Sequence, residues 1–374
     1  MRGVMDPELN DNIVDLGMLG NVEITHDGVV TVWIALTTAG CPLRAQLRAE
    51  SIARVGSLPG VIDVVVETTE MDAEQKRALM NRARLNAQTT APTTEIPATT
   101  RIIAVSSGKG GVGKSSVSAN LAAGLAQRGY TVGVLDADIW GFSMPRMLGV
   151  EGKVQGERKD NGRPRMQPLV RNIGDKGGSL RVLSMGFLAQ EDSAIMWRGL
   201  ILNRALQHFL EDVEWGQLDY LVIDMPPGTG DIQMGLARML PRAEMLIVTT
   251  PTIAAQKVAS RAADMARRGH LRVAGVIENM SAFACDHGTS YPLFGSGGGQ
   301  ALADEIGAPL LGSIPLQVEV SSSGDSGNPT VLAAPSSASG VAFNAILDRI
   351  VDEVLPPIEM ASCTARMMDL LNQL

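Results

Sequence analysis

The stretch "GKGGVGKSS", Gly108 to Ser116, constrains the fold more than any other part of this chain. It follows the apolar run "RIIAVSS" and opens the Ala- and Leu-rich segment Ser115 to Arg128. A strand that passes through a glycine loop into a helix N-terminus is a phosphate cradle, because backbone N–H groups and the helix dipole converge on an anion. Gly108, Gly110, Gly111 and Gly113 let the backbone turn inward around Lys109 and Val112, and Ser116 carries the cradle into the helix. Lys114 is expected to reach the β- and γ-phosphates of a nucleotide and Ser115 to offer its hydroxyl to Mg²⁺. Lys109 is one lysine more than this pattern requires.

The rest of the second half alternates strand and helix. "TVGVLDAD", "LDYLVIDMPP", "AEMLIVTTP" and "LRVAGVIENM" are short apolar runs bounded by turn residues, and "IAAQKVASRAADMARRG" is helical between two of them. This alternation predicts an α/β domain with a parallel sheet, helices on both faces and ligands at the carboxyl ends of the strands. Asp224 ends the run "YLVID" and is expected to bind the Mg²⁺ with Ser115. Pro226, Gly228 and Gly230 form a turn suited to sensing a γ-phosphate. Asp136 and Asp138 close another strand with period 2, so both point to one side, and one of them could orient the attacking water. Asp138 lies farther out in the loop.

Residues 1–85 read as a small α+β domain. "NVEITHDGVVTVWIAL" is a hairpin around His26-Asp27-Gly28, "CPLRAQLRAESIARVG" a helix with Pro42 near its start, and "VIDVVVETTEM" a further strand. The Thr-, Ala- and Pro-rich residues 86–100 read as a linker. The phosphate-loop domain is expected over 101–355, with a helix near 337–354, and a tail over 356–374. Aromatic residues are only 3% of the 374, so the cores must be aliphatic. The basic stretch 153–181 reads as a solvated loop. A net charge of −8 argues against broad binding to nucleic acid or anionic membrane. No apolar run reaches the roughly 18 residues of a membrane span. A polar, acidic N-terminus and three scattered cysteines suggest a reducing, cytoplasmic setting.

At this point the sequence resembles a known family. "GKGGVGKS" is similar to the deviant Walker A motif of the ParA/MinD-type (SIMIBI) P-loop ATPases. "LDADIWGFSMPRMLG", "LDYLVIDMPPGTGD", "IENMS" and "FGSGGG" look like the Mrp-type iron–sulfur cluster carrier ATPases. "DPELNDNIVDLGML" with "LTTAGCPLR" resembles the small domain often fused ahead of them. The resemblance implies a homodimer that sandwiches two nucleotides, with Lys109 reaching across to the partner's phosphates. It implies that Asp138 handles water, that Asn279 hydrogen-bonds adenine, and that apoprotein clients and iron–sulfur assembly proteins are partners.

One departure from the family concerns the cargo. The family places C-x-x-C after "ENMS"; here Cys285 is followed three positions later by Gly288. The thiolates available to a cluster fall from four per dimer to two. His287 could replace the missing ligand, Cys41 or Cys363 could complete the set, or stable cluster binding has been lost and the ATPase kept. Cys41, at a helix start, is a candidate transfer thiol. The sequence thus supports an iron–sulfur cluster carrier, with a positioning or regulatory switch ATPase as the alternative. A near-inert adaptor is disfavoured by the complete set Lys114, Ser115, Asp138 and Asp224.

Overall fold

Strand periodicity divides the chain into two bodies, which a computed structural model describes over residues 1–6, 11–37, 44–90, 94–97, 99–138, 141–158, 164–187, 199–228, 230–284 and 289–358. The units are Met1–Ala91 and Pro92–Leu374. In the first, β1 (Met5–Asp6) pairs with β2 (Asp11–Asn12), and β3 (Leu19–Ile24), β4 (Val29–Leu36) and β5 (Asp63–Glu70) form a three-stranded sheet. β4 buries Val30, Val32 and Ile34 and β5 buries Val64 and Val66, the alternation of a sheet with one covered face. Helix α1 (Arg44–Gly56) supplies Leu47, Ser51 and Val55, spaced by four on one helical face. The expected hairpin and third strand are both present; Pro42 lies outside the described residues. Helix α2 (Ala73–Thr90) starts in a reciprocal cap, Gln75 N–H to Asp72 Oδ1 and Asp72 N–H to Gln75 Oε1.

The second unit is built on one sheet. Its parallel strands are β6 (Arg101–Ser106), β7 (Thr131–Asp136), β11 (Gly178–Ser184), β12 (Tyr220–Asp224), β13 (Glu244–Thr249), β14 (Arg272–Ala284) and β16 (Leu310–Leu316). Outside them lie the hairpin β8 (Gln155–Arg158) and β9 (Pro164–Gln167), the antiparallel edge strand β10 (Leu169–Ile173), and β15 (Ser290–Tyr291), antiparallel to the end of β14. The order is β10-β11-β7-β12-β6-β13-β14, with β15 and β16 both against β14. Successive residues of one strand feed opposite cores. Ile102, Ala104, Leu221 and Ile223 join one cluster; Ile103, Val105, Tyr220 and Val222 join the other.

Helices α5 (Gly199–Glu211), α6 (Asp231–Met239), α7 (Ile253–Arg268) and α8 (Gly298–Ile306) complete the first core. The second core is closed by α3 (Lys114–Gln127), with α4 (Met144–Met147), α9 (Val318–Asp325), α10 (Thr330–Ala333) and α11 (Ala338–Arg349) around it. α11 runs into a π turn over Ile350–Val354, as the expected helix to 354 requires. With few aromatics available, α3 packs through Ala119, Ala122, Ala123 and Gly124. A Cβ on Gly124 would lie 2.2 Å from Leu347 of α11.

Two expectations change. The basic stretch 153–181 is not a loop: its described residues form β8, β9, β10 and part of β11. Three of its described arginines tie it to distant parts of the unit. Arg171 donates to Gly327 O at 2.6 Å, Arg181 to the carbonyl of Trp215, and Arg165 pairs with Glu214. The linker is also shorter than 86–100. α2 extends to Thr90, and residues 94–100 are strapped to the second unit. Glu95 N–H donates to Leu210 O, the Arg242 guanidinium to the carbonyls of Ile96 and Pro97, and the Thr100 hydroxyl to Leu218 O. Ile96 is 5% exposed. Ile96→Ala should therefore lower the stability of the second unit by about 2–4 kcal/mol in denaturant melts, where a free linker residue would change it by less than about 0.5 kcal/mol.

Candidate functional site

The loop between β6 and α3 is shaped from both sides. Gly108 lies against the backbone of α7, where a Cβ would come within 2.2 Å of the Val258 carbonyl group. Gly113 has φ 79° and stands ahead of Lys114 with no side-chain cap, so the first N–H groups of α3 remain free for an anion. A Cβ at Gly110 or Gly111 would meet nothing within 4 Å, because both border a cavity of about 210 Å³. Lys109, Lys114, Ser115, Ser116, Asp138 and Pro227 also line it. The cavity sits at the carboxyl ends of β6 and β7, where an open parallel sheet binds ligands.

Asp224 forms the floor. It is fully buried, and three groups converge on it. Lys114 Nζ lies 2.7 Å from Oδ2, Ser115 Oγ donates to Oδ2 at 2.6 Å, and Ser118 Oγ donates to Oδ1 at 2.6 Å. A carboxylate in such a place must be neutralised, and Lys114 does so here. If Lys114 turns to the phosphates, a cation must take its place. Ser115 and Asp224 are hard oxygen donors side by side, the set that suits Mg²⁺, whose chemical contribution is to neutralise charge on the phosphate oxygens. Ser118 was not anticipated from the sequence. Its signal was present, since it lies four residues after Lys114 on the inward face of α3.

The two aspartates after β7 part company. Asp136 is 0% exposed and accepts from the N–H groups of Ser143 and Met144, the Ser184 hydroxyl and Asp138 N–H. Burial first, and the neighbouring Asp224 second, push its carboxyl up to about 7 against the pull of those donors. Asp138 lines the cavity and accepts from Gly141 N–H at 3.1 Å. The structure thus puts Asp138 at the cavity and Asp136 behind it, holding the loop that carries Asp138.

Lys109 is exposed and forms no ion pair among the described residues. Its carbonyl accepts from the Ser107 hydroxyl at 3.0 Å, which fixes the loop backbone beside the cavity. Asn279 is buried at 5% exposure, and its amide donates to Val112 O at 2.9 Å. It braces the phosphate loop from β14. The next residue, Met280, has φ 57°, and the pairing of β14 with β16 loses register between Asn279 and Phe283. A left-handed non-glycine residue inside a strand bends it. Beyond the bend β14 pairs with β15 up to Ala284. Cys285, His287 and Gly288 follow, and these, with Cys41 and Cys363, lie outside the described residues. Among the described residues no group of three or more His, Cys, Asp or Glu could hold a metal ion, and no helix is long and apolar enough to cross a membrane.

Comparison with known proteins follows this geometry. Residues 98–351 match the family model of the NUBPL iron-transfer P-loop NTPase, and residues 1–67 match that of an iron–sulfur cluster assembly protein. The iron–sulfur cluster carrier protein of Mycobacterium tuberculosis is 42% identical over 353 residues, covering 92% of this chain and 90% of that one. The protein of the same name from Synechocystis is 40% identical over 357 residues, covering 95% and 96%. The solved septum site-determining protein MinD of Pyrococcus horikoshii, complexed with Mg-ADP, shares the fold. Its TM-score is 0.50 at 23% identity, over 68% of this chain and 96% of that one.

Two outcomes are expected of the nucleotide-free protein. Lys114→Ala strands a buried carboxylate and should cost about 3 kcal/mol in a denaturant melt, most of it recovered in Lys114→Ala/Asp224→Asn. For Asp136, the folded-state value near 7 lies above the ordinary 3.8, so between those values the folded protein holds a proton that the unfolded chain has released. Its contribution to stability is retained below that window and falls as pH rises through it. Asp136→Asn should flatten that slope in melts recorded across the window.

Proposed function

The chain belongs to the iron-transfer P-loop NTPases, an ATP-hydrolysing family of the ParA/MinD type, with an iron–sulfur assembly domain at its N-terminus, and from that premise we propose that it carries iron–sulfur clusters and delivers them to apoproteins. One strand carries the reading. β14 touches the phosphate loop through Asn279 and ends at Ala284, one residue before Cys285. Whatever the nucleotide does to the loop backbone at Val112 is felt by the strand that leads into the cargo ligands.

In this proposal two copies face each other across the nucleotides in a reducing cytoplasm. Lys114 leaves Asp224 for the β- and γ-phosphates, Ser115 and Asp224 hold Mg²⁺, and Asp138 orients the attacking water. Lys109 stabilises the charge on the partner's phosphates, a role supported by its exposure and lack of an ion pair among the described residues. The cluster is cargo, held at the dimer by Cys285 of each copy with His287 as second ligand. Two Cys and two His are a known ligand set for a [2Fe–2S] cluster. Gly288, at the position of the family's second cysteine, favours the second reading, a switch ATPase with no stable cluster.

Both Lys109→Ala and Lys114→Ala should suppress hydrolysis. Lys109→Ala should lower kcat by about a hundredfold or more and leave ATP affinity within about threefold, whereas Lys114→Ala should weaken binding as well. Equal loss of binding in the two variants would contradict the cross-interface role. After anaerobic reconstitution, iron and acid-labile sulfide counted per dimer should fall in Cys285→Ala and again in His287→Ala. Wild-type protein with no cluster would leave the switch reading standing.

A further inference from the structure

Behind the proline turn that walls the cavity sits an amide used at one end only. Gln233 is the third residue of α6 and 3% exposed. Its Nε2 donates to Ser106 Oγ at 2.9 Å and to Gly228 O at 2.5 Å. Only an N–H group can lie that close to a carbonyl oxygen, so the orientation of the amide is decided by Gly228. Its Oε1 is buried and has no partner among the described residues. An acceptor left unmade in the interior forfeits its hydration with nothing in return, and such a group calls for a reason.

The surroundings supply the reason. Ser106 is the last residue of β6, and Ser107 begins the phosphate loop. Gly228 donates its N–H to Ser107 O at 3.1 Å while its carbonyl receives Gln233, so both faces of its peptide are tied to the start of the loop. Gly228 has φ 96° and nothing within 4 Å of where a Cβ would stand, so this turn has room to change. Pro227, just before it, lines the cavity. Pro226 and Pro227 have no N–H, and that of Gly228 is in use. Gly230, the residue before α6, has a backbone N–H that donates to no group among the described residues and lies three residues from Gln233 in sequence.

We propose that Gln233 is a positioning residue for ATP hydrolysis, a two-ended latch on the Gly228 turn. In the arrangement seen here Nε2 holds Gly228 O and keeps the turn back from the cavity. When a γ-phosphate draws the turn forward, Nε2 lets go of Gly228 O and Oε1 accepts an N–H of the advancing turn. The orphaned oxygen is the acceptor for the second arrangement. The role concerns the hydrolytic step, so its failure is separable from that of the cluster-carrier reading.

The test uses the full chain with two variants. Gln233→Met keeps the volume and removes both ends of the latch; Gln233→Glu keeps the acceptors and removes the donors. With Gln233→Met, kcat should fall by about tenfold or more while KM for ATP and the affinity for ADP stay within about threefold. Gln233→Glu, no longer holding Gly228 O, should bind a non-hydrolysable ATP analogue more tightly relative to ADP than wild type does. Hydrogen exchange over residues 225–232 should differ between the ADP and analogue complexes of wild type, and this difference should vanish in Gln233→Met. An unchanged kcat in Gln233→Met overturns the proposal. So does a fall in kcat that tracks loss of nucleotide affinity and melting temperature together, the mark of a packing role. If Gln233→Met does not fold, an unshifted ATP-to-ADP preference in Gln233→Glu overturns it alone.

Discussion

The buried carboxylate of Asp224 is the constraint on which the nucleotide end of this molecule depends. It stands at the end of a central strand with no water to screen it, and it cannot remain unpaired. Lys114 and Ser115 hold one of its oxygens and Ser118 holds the other. The first turn of α3 is thereby pinned to β12, and the phosphate loop is stretched between β6 and that pinned turn. A lysine committed to a carboxylate is also a lysine that must be released before it can bind phosphate. In the proposed cycle the pair makes nucleotide binding an exchange of partners with two discrete end states.

Around this floor the walls are held by groups that reach across from other strands. Asp136 gathers the loop after β7, Asn279 braces Val112 from β14, and Gln233 ties the proline turn to the start of the phosphate loop. None of the three is near another in sequence. They converge because the order β7-β12-β6-β13-β14 sets their strand ends side by side, and the parallel direction points all those ends the same way. The left-handed Met280 then breaks the register of β14 against β16, and the strand goes on to pair with β15 up to Ala284.

The lower end of the same sheet shows why composition misled about two segments. Arginines among Gly and Asn look like a solvated loop, yet Arg171 and Arg181 donate to backbone carbonyls that no strand or helix satisfies. A threonine- and proline-rich stretch looks like a linker, yet Ile96 is buried and Arg242 holds its carbonyl and that of Pro97. In both cases the partner is far away in the chain. Local texture reports the solubility of a segment; it carries no information about which distant groups are left wanting a donor or an apolar cover.

The sequence by itself determined whatever is written in local spacing. It was enough for the phosphate loop, the alternation of strand and helix and the small α+β domain, and for singling out Lys114, Ser115 and Asp224, which the fold places together, because glycine spacing and strand-end carboxylates are readable within a few residues. Tertiary structure decided everything that needs two distant strands at once. It put Asp138 at the cavity and Asp136 behind it, where period 2 alone points both to one side. It brought Ser118 to Asp224 and Gln233 to Ser106, pairs more than a hundred residues apart. A hydrogen bond acts over about 3 Å, and only the folded sheet brings such groups that close.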